Sequence, residues 1–321
     1  MMVFSLWSVK PHWRVLRSKL VSLIVVLLSH LALAMVPCLF PFLSLLAMLP
    51  VAALVMVSTY ALAGWLRRLL DMTASAPAMV IIHILFIWGV YISVICEAIP
   101  NILDATLNME FILLFIGLYR IFYGDPGIVP VKSTCTGAPE QTDTSDVDLP
   151  NKGSPLLSRV RCCYFCKRNV NGFDHHCPAF GNCIGQKNHH LFMVVVIGFI
   201  ITEATFSLCS SQYFKVSSLA NSVRFERDLP GNLVTSTLLF SCLQVLWQVP
   251  FLTWHIYCIC CNIKTEEWVN WRKYPEFQLV TQPQQASPFT VTKFVNPYNK
   301  GILTNVREYL TQSLPAKHLV V

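Results

Sequence analysis

The sequence has little charge. Only 13% of its 321 residues are Asp, Glu, Lys or Arg, whereas 54% are hydrophobic. Soluble domains carry about 25% charged residues, so this balance excludes an ordinary soluble globular protein. The net charge of +7 is modest and no basic, aromatic-interleaved segment is present, so nucleic acid is not an expected partner. The composition is typical of a chain embedded in a lipid bilayer.

Acidic residues are missing from the first nineteen positions, which hold Lys10, Arg14, Arg17 and Lys19. Such a flank indicates the cytosolic side of a first span. Six apolar stretches approach or exceed the roughly 20 residues that a spanning helix needs. They are predicted at 20–36, 41–65, 78–98, 111–123, 191–211 and 233–260. The first is interpreted as a signal anchor rather than a cleaved leader, because a second apolar stretch follows almost at once.

Two short segments are predicted to connect spans. Residues 37–40 link the first pair, and residues 99–110, which have Asp104 and Glu110 but no Lys or Arg, form a non-cytosolic loop. The fourth span could instead begin near Ile102. Glu203 lies within the fifth span, where an ionisable residue is expected to face the bundle interior. Six spans place both termini and the segment between the fourth and fifth spans on the cytosolic face.

That segment contains an unusual run of cysteine and histidine, residues 162–192. Thiolate and neutral imidazole are preferred zinc ligands, and a Cys-x-x-Cys pair offers two sulfurs to one tetrahedral ion. Cys163 and Cys166 form such a pair, and His176 and Cys183 follow at distances that can complete a Cys3His site. The sequence therefore predicts one zinc ion on these four residues.

Cys177 is left over beside the ligand His176. Asp174 and His175 precede it, so the three can act as nucleophile (Cys177), base (His175) and orienting group (Asp174). A short Cys/His-rich segment is more often purely structural than catalytic. A structural site, however, needs four ligands and no fifth thiol, which favours catalysis.

These residues resemble the DHHC-type protein S-acyltransferases, the palmitoyltransferases. The family pattern is matched by Cys163 and Cys166, by Asp174 to Pro178, by Asn182 to Gly185, and by Asn188 with Phe192. Asp125-Pro126-Gly127, Lys264 to Glu267 and the Asn-rich run from Asn296 to Tyr309 are similar to three further family motifs, although Lys264 stands where the family has Thr.

The resemblance implies a multi-pass, all-α membrane protein of about six and at least four spans, with a small cytosolic zinc-binding domain. The implied activity is a protein-cysteine S-palmitoyltransferase, which moves an acyl group from fatty acyl-CoA to Cys177 and then to accessible cysteines of cytosolic or membrane-associated proteins. This two-step, ping-pong route passes through a thioester intermediate. It needs no redox cofactor, and zinc is structural. Residence in the endomembrane system, in the Golgi or ER, is a family-level expectation.

One departure bears on metal content. Most family members have two Cys3His sites, but the second set falls here at Leu149, Lys152, Cys162 and Asn169, so a single ion is expected. This loss favours the alternative of a catalytically weak, zinc-stabilised membrane adaptor. A metal transporter is a poor alternative, because the Cys/His set lies outside the spans. His30, His83 and His255 are interpreted as core or interface residues.

Five segments are therefore predicted along the chain. They are spans 1–4 at 1–123, a cytosolic linker with the Asp-Pro-Gly motif at 124–158, a cysteine-rich domain at 159–190, spans 5–6 at 191–261 and a cytosolic tail at 262–321.

Overall fold

The protein is mostly helical in the computed structural model, which describes residues 12–130, 159–220, 229–281 and 291–311. Within these ranges, six helices are long and apolar enough to cross a membrane. They are α1 (His12–Leu39), α2 (Leu45–Leu69), α3 (Ala76–Val90, prolonged by a π turn and a 3-10 turn to Ala98), α4 (Asn101–Tyr123), α5 (His189–Ala220) and α6 (Leu229–Cys260). The chain is a multi-pass membrane protein, as its composition predicts.

The first connection differs from the predicted one. Helix α1 continues through Pro37 to Leu39, and the turn follows at 40–44. A proline removes one backbone donor, which is tolerated here because the helix ends two residues later. Ser44 then caps α2 by accepting a hydrogen bond from the Ala47 amide at 3.3 Å.

The predicted loop at 99–110 is wrong, and the alternative of an earlier fourth span holds. Helix α4 already begins at Asn101. Asp104 and Asn108 are bonded within the helical packing, since Tyr91 donates to Asp104 at 2.5 Å and Trp88 donates to Asn108 at 3.0 Å. Charged residues in this stretch therefore do not mark a loop, because neighbouring side chains supply their hydrogen bonds.

The described chain forms two compact units, the first made of α1–α3, most of α4, α5 from Ile197 onward and α6 up to Val249. Its polar residues bond to each other. His30 Nε2 lies 3.0 Å from His83 Nδ1, and Tyr60 Oη lies 2.7 Å from His83 Nε2. Phe240 stacks on His83 at 4.7 Å. The two histidines are thus packed core residues, and Glu203, at 7% exposure, is also buried.

The second unit contains the end of α4, the first residues of α5, the last residues of α6 and the described part of the tail. Its remaining elements are β1 (Val160–Cys163), β2 (Arg168–Asn171), β3 (His175–Cys177), β4 (Asn182–Ile184), α7 (Thr265–Val269), β5 (Gln278–Thr281), β6 (Val291–Phe294) and α8 (Ile302–Thr311). Strands β1–β2, β3–β4 and β5–β6 pair as three antiparallel hairpins. In the tail, Phe277 is fully buried with Cys258 and Ile263. Most of the predicted linker at 124–158 lies outside the described residues.

Candidate active site and metal centre

Four potential metal ligands meet in the second unit, namely Cys163, Cys166, His176 and Cys183. Their ligand atoms all lie within 4.8 Å of one another. The Sγ atoms of Cys166 and Cys183 are 3.4 Å apart, and His176 Nδ1 lies 3.4 and 3.7 Å from these two sulfurs. A tetrahedral zinc ion with bonds of about 2.0–2.3 Å holds its ligand atoms roughly 3.5–3.8 Å apart. The residues predicted to bind zinc therefore fit that ion.

The hairpins explain the ligand spacing. Cys163 ends β1, and the turn to β2 is closed by the Lys167 amide, which donates to the Cys163 carbonyl at 2.8 Å. Lys167 takes a left-handed conformation with φ of 53°. In the other hairpin, His176 on β3 stands directly opposite Cys183 on β4. The first hairpin thus supplies Cys163 and Cys166 from its strand end and turn, and the second supplies His176 and Cys183 from paired strand positions.

The turn after Cys183 is packed too closely at Gly185 to accept a larger residue without a shift. A Cβ atom at Gly185 would lie 2.4 Å from the Pro126 carbonyl oxygen, which is far inside contact distance. Asn188 holds the same turn, accepting from the Gly185 amide and donating to the Cys183 carbonyl, both at 2.9 Å. These contacts give the Asn-Cys-Ile-Gly and Asn-x-x-x-Phe patterns a physical basis.

The Asp-Pro-Gly turn packs against the same place. Asp125 Oδ1 accepts hydrogen bonds from the Gly127 and Ile128 amides, both at 2.9 Å. Its other oxygen pairs with Lys187 Nζ at 2.7 Å. Gly127 has a φ of 105°, a conformation that favours glycine. The motif therefore forms a fixed turn beside the hairpins.

Asp174, His175 and Cys177 form a connected set next to the ligands. Asp174 Oδ2 lies 2.7 Å from His175 Nδ1, and His175 also shares a hydrogen bond with the Cys177 thiol. Burial opposes protonation of His175, but these two hydrogen bonds outweigh it and raise its pKa to about 9. Cys177 is buried and does not belong to the four-ligand group found among the described residues.

Asp174 is held from several sides by backbone groups. Its amide donates to the Ile184 carbonyl at 2.8 Å, and its own carbonyl accepts from the Glu266 amide at 2.8 Å. Oδ1 accepts from the Thr265 amide at 3.1 Å. Burial alone would raise the pKa of Asp174, yet its hydrogen bond to His175 and the nearby positive charges hold that pKa well below the usual range. The carboxylate is therefore a buried, oriented anion.

The stretch Lys264 to Glu267 starts helix α7 and also contacts the cysteine-rich region. Glu267, 1% exposed, accepts from Arg159 through both carboxylate oxygens, at 2.8 and 2.5 Å. Arg159 also donates to Asn262 at 2.7 Å and lies 4.1 Å from the Tyr298 ring. A bidentate Arg–carboxylate pair of this kind is geometrically specific. The pair connects the tail to Arg159, the residue at which the cysteine-rich domain is predicted to begin.

Sequence reasoning missed the proximity of His255 to this site. Its Nδ1 lies 3.9 Å from Asp174 Oδ2, and its ring centroid is 5.6 Å from that of His175. Asp174, His175 and His255 even form a second group with potential ligand atoms close together. Nothing in the spacing along the chain could reveal this contact, because His255 belongs to α6 and the other two to the hairpins.

The second metal site of the family has little support among the described residues. Cys162 and Asn169 face each other across β1 and β2, and the groups of potential ligands among the described residues include neither of them. Leu149 and Lys152 lie outside the described residues. A content of one ion per chain therefore stays a prediction.

The Asn-rich run near the end of the tail anchors α8. Asn305 donates to the Cys260 carbonyl and to Asn299 Oδ1, both at 2.8 Å, and is 2% exposed. The ring of Tyr309 stacks on that of His190 at 4.1 Å. The run thus binds the end of α6 and the start of α5, beyond the simple turn that its sequence suggests.

Together, the spans and the site define a class: a multi-pass membrane protein with a Cys3His metal domain and one further cysteine in a Cys-His-Asp arrangement. Comparison with known families agrees. Residues 153–272 match the model of the DHHC palmitoyltransferase family. The chain carries a DHHC-type S-acyltransferase domain, which confirms the resemblance seen in the sequence.

Relatives point the same way. Palmitoyltransferase ZDHHC17 of Mus musculus is 29% identical over 223 residues, which cover 62% of this chain and 32% of the relative. Probable protein S-acyltransferase 1 of Arabidopsis thaliana is 28% identical over 237 residues, covering 64% and 62% of the two chains. The chain thus spans about a third of the mouse relative and less than two thirds of the plant relative.

Proposed function

We propose that the protein is a protein S-acyltransferase that transfers a fatty acyl group, palmitoyl in the first instance, from acyl-CoA to cysteines of substrate proteins. One observation carries the proposal: Cys177 shares a hydrogen bond with His175, which Asp174 orients at 2.7 Å, while four other residues form the metal group. The family domain and the names of the relatives support it.

In the first step, His175 accepts the thiol proton of Cys177 and the thiolate attacks the carbonyl carbon of the acyl-CoA thioester. The new bond joins Cys177 Sγ to the acyl carbon. The bond to the CoA sulfur breaks, and the departing sulfur receives the proton from His175. Asp174 stabilises the imidazolium while it carries that proton.

In the second step, His175 takes the proton from a cysteine of the substrate protein. That thiolate attacks the acyl carbon on Cys177, and Cys177 leaves and recovers a proton from His175. One thioester replaces another in each step, so the reaction needs no ATP or redox partner. The substrates are then acyl-CoA and proteins with accessible cysteines.

A zinc ion bound by the four ligands would fix both hairpins and thereby the positions of Asp174, His175 and Cys177, a structural role. We assign no chemical step to the ion. His176 binds metal in this scheme while its neighbour His175 serves the thiol, and the strand alternation of β3 separates the two side chains.

The proposed setting is an endomembrane, Golgi or ER, with the site in the cytosol. Arg14, Arg17 and Lys19 at the start of α1, and Arg67 and Arg68 at the end of α2, support this orientation through the positive-inside bias. Protease protection of epitope tags at the tail in sealed microsomes tests it. A protected tail would contradict the orientation.

The decisive experiment is incubation of the purified protein with labelled acyl-CoA, followed by hydroxylamine. We expect native protein to carry a hydroxylamine-sensitive label, and Cys177→Ser to carry none while keeping its zinc. Cys38→Ser is the matched control, because Cys38 is exposed and lies in α1. Label that survives in Cys177→Ser would refute the proposal.

The alternative is a membrane adaptor with little transferase activity. It is favoured by the presence of one Cys3His group, where most of the family has two, among the described residues. Complementation of a deletion strain with Cys177→Ser separates the two, since full rescue would indicate an adaptor and loss of rescue a transferase.

A further inference from the structure

A cavity of about 430 Å³ with both polar and apolar walls lies within the second unit. Its walls come from the first hairpin, the start of α5, the segment after α6 and α8. This volume falls in the range of about 300–1,000 Å³ that small-molecule sites occupy. The residues that matter for its chemistry are His189, Lys264, Lys300, Asn262, Gln186 and Tyr309.

Two buried polar groups in this cavity lack hydrogen bonds. Neither ring nitrogen of His189, which is 3% exposed, bonds to any residue in the described part of the chain. The Tyr309 hydroxyl is likewise buried without a partner there. The two rings lie edge to face at 5.4 Å. Because buried polar groups are nearly always hydrogen-bonded, we expect a polar ligand to bind at the end of the cavity formed by His189 and Tyr309.

Three cations and one carboxylate, Glu308, line the cavity. Arg159 and Lys300 are paired with Glu267 and Glu308, and Lys264 has no such ion pair among the described residues, although the carboxylates of Asp174 and Glu267 lie near it. Burial lowers the pKa of Lys264, so its charged form is poorly solvated. Lys264 is also where this chain departs from the Thr of the motif that it resembles. An anion at this end would supply the missing solvation.

Further polar groups and some apolar side chains line the rest. The amide side chains of Asn171, Gln186 and Asn262 border the cavity together with the carboxylate of Glu308. Asn171 donates to Gln186 and Asn262 accepts from Arg159, so each amide keeps only part of its hydrogen-bonding capacity for a ligand. Such groups suit hydroxyls, which both donate and accept, better than apolar rings. The cavity therefore combines an anion-binding end with a hydroxyl-binding rim.

We propose that this cavity binds a phosphorylated polyol, with a phosphate against His189, Lys264 and Tyr309 and hydroxyls against the amide side chains. The proposal does not rest on acyl transfer, because these groups carry no proton or bond in the steps above, although His189 and Lys264 lie near Asp174 and help to lower its pKa. The same chemistry occurs in two sources: a soluble inositol phosphate and the headgroup of a phosphoinositide lipid.

Binding is measured on the full-length protein, both native and Cys177→Ser, so that the result does not depend on transferase activity. One arm titrates inositol 1,4,5-trisphosphate into detergent-solubilised protein by calorimetry. The other compares thermal unfolding in nanodiscs with and without phosphatidylinositol 4,5-bisphosphate. Inositol, inorganic phosphate and coenzyme A serve as comparison ligands.

We expect saturable binding in at least one arm, with the soluble arm indicating a free ligand and binding confined to nanodiscs indicating the lipid. Lys264→Thr should raise Kd by about tenfold or more, the size expected for loss of one charge-assisted hydrogen bond. Lys300→Gln, at a 58% exposed side chain that tolerates substitution, should weaken binding less. The exposed Lys293→Gln is the matched control and should change nothing.

Two outcomes would overturn the proposal. One is the absence of saturable binding in both arms with folded protein. The other is binding that Lys264→Thr and Lys300→Gln leave unchanged, or that coenzyme A shows with the same sensitivity while the inositol phosphates show none. In the last case the cavity would bind the coenzyme A part of the acyl donor.

Discussion

The cysteine-rich hairpins and the apolar spans are held by different kinds of interaction. In the hairpins, a few short contacts fix each residue, such as His176 opposite Cys183 and Gly185 against the Pro126 carbonyl. In the spans, burial is spread over many apolar side chains, and lipid-facing positions such as Leu31 remain 63% exposed. Single substitutions should therefore act sharply in the first region and weakly in the second.

The largest effect is expected for Cys183→Ala. Structural zinc contributes roughly 10–16 kcal/mol to the folding of zinc-finger peptides, so loss of one ligand should release the ion and unfold both hairpins. None of the four ligands lies in a spanning helix, so we expect the helices to persist without the metal. We expect zinc content to fall to near zero and the hairpins to become protease-sensitive, while the far-ultraviolet helical signal is retained.

Cys96→Ser, at a partly buried cysteine outside the ligand group, is the control. Collapse of the helical signal in Cys183→Ala would show that the spans rely on the metal domain, contrary to the comparison.

Asp174→Asn tests whether one contact in the cysteine-rich hairpins controls the proposed chemistry. The amide cannot stabilise a protonated His175 and reverses the hydrogen-bond polarity, so the rate of acyl-enzyme formation should fall by about 10³–10⁴, as in triads of this type. Single-turnover labelling measures it. Asp71→Asn, at an exposed position with a φ of 49° that Asn tolerates, is the control. An unchanged rate would exclude Asp174 as the orienting residue.

Gly185→Ala and Gly89→Ala form a matched pair across the two regions. A Cβ at Gly185 meets the Pro126 oxygen at 2.4 Å, whereas nothing lies within 4 Å at Gly89 in α3. We expect the first to destabilise by about 1–3 kcal/mol, as overpacking does. The second should be neutral or slightly stabilising, because Ala favours helix. Thermal unfolding in detergent compares them, and equal melting points would remove the distinction drawn here.

The smallest effect is expected for His83→Phe. It removes the hydrogen bonds to His30 and Tyr60 at 3.0 and 2.7 Å, and interhelical hydrogen bonds in membranes are worth about 0.6–1.7 kcal/mol. A small decrease in melting temperature should result, with Leu31→Ala as the lipid-facing control. A loss as large as that of Cys183→Ala would mean that this polar cluster has a function of its own.

The two regions also differ in how far their sequences predict them. Hydropathy locates all six helices but not their ends. Pro37 lies inside α1, although it is predicted to lie in a connection. Asn101 to Glu110 belong to α4, where Tyr91 donates a hydrogen bond to Asp104. Ligand spacing, by contrast, identifies Cys163, Cys166, His176 and Cys183 because local hairpins bring them together.

Contacts between distant segments are beyond such reasoning. The approach of His255 to Asp174, and the donation from the Thr265 and Glu266 amides, join α6 and the tail to the hairpins. A motif match could single out Lys264 to Glu267, but it could not reveal that backbone amides rather than side chains reach Asp174.

These amide contacts have a consequence for biosynthesis. A nascent chain that has been translated only to the end of α6 already contains the ligands and the Cys-His-Asp set, yet it has no donor for Asp174 Oδ1 and no Glu267 to receive Arg159. The ribosome must first release the segment that follows the last span. The set of backbone donors around Asp174 is therefore complete only after the segment that follows the last span has been synthesised.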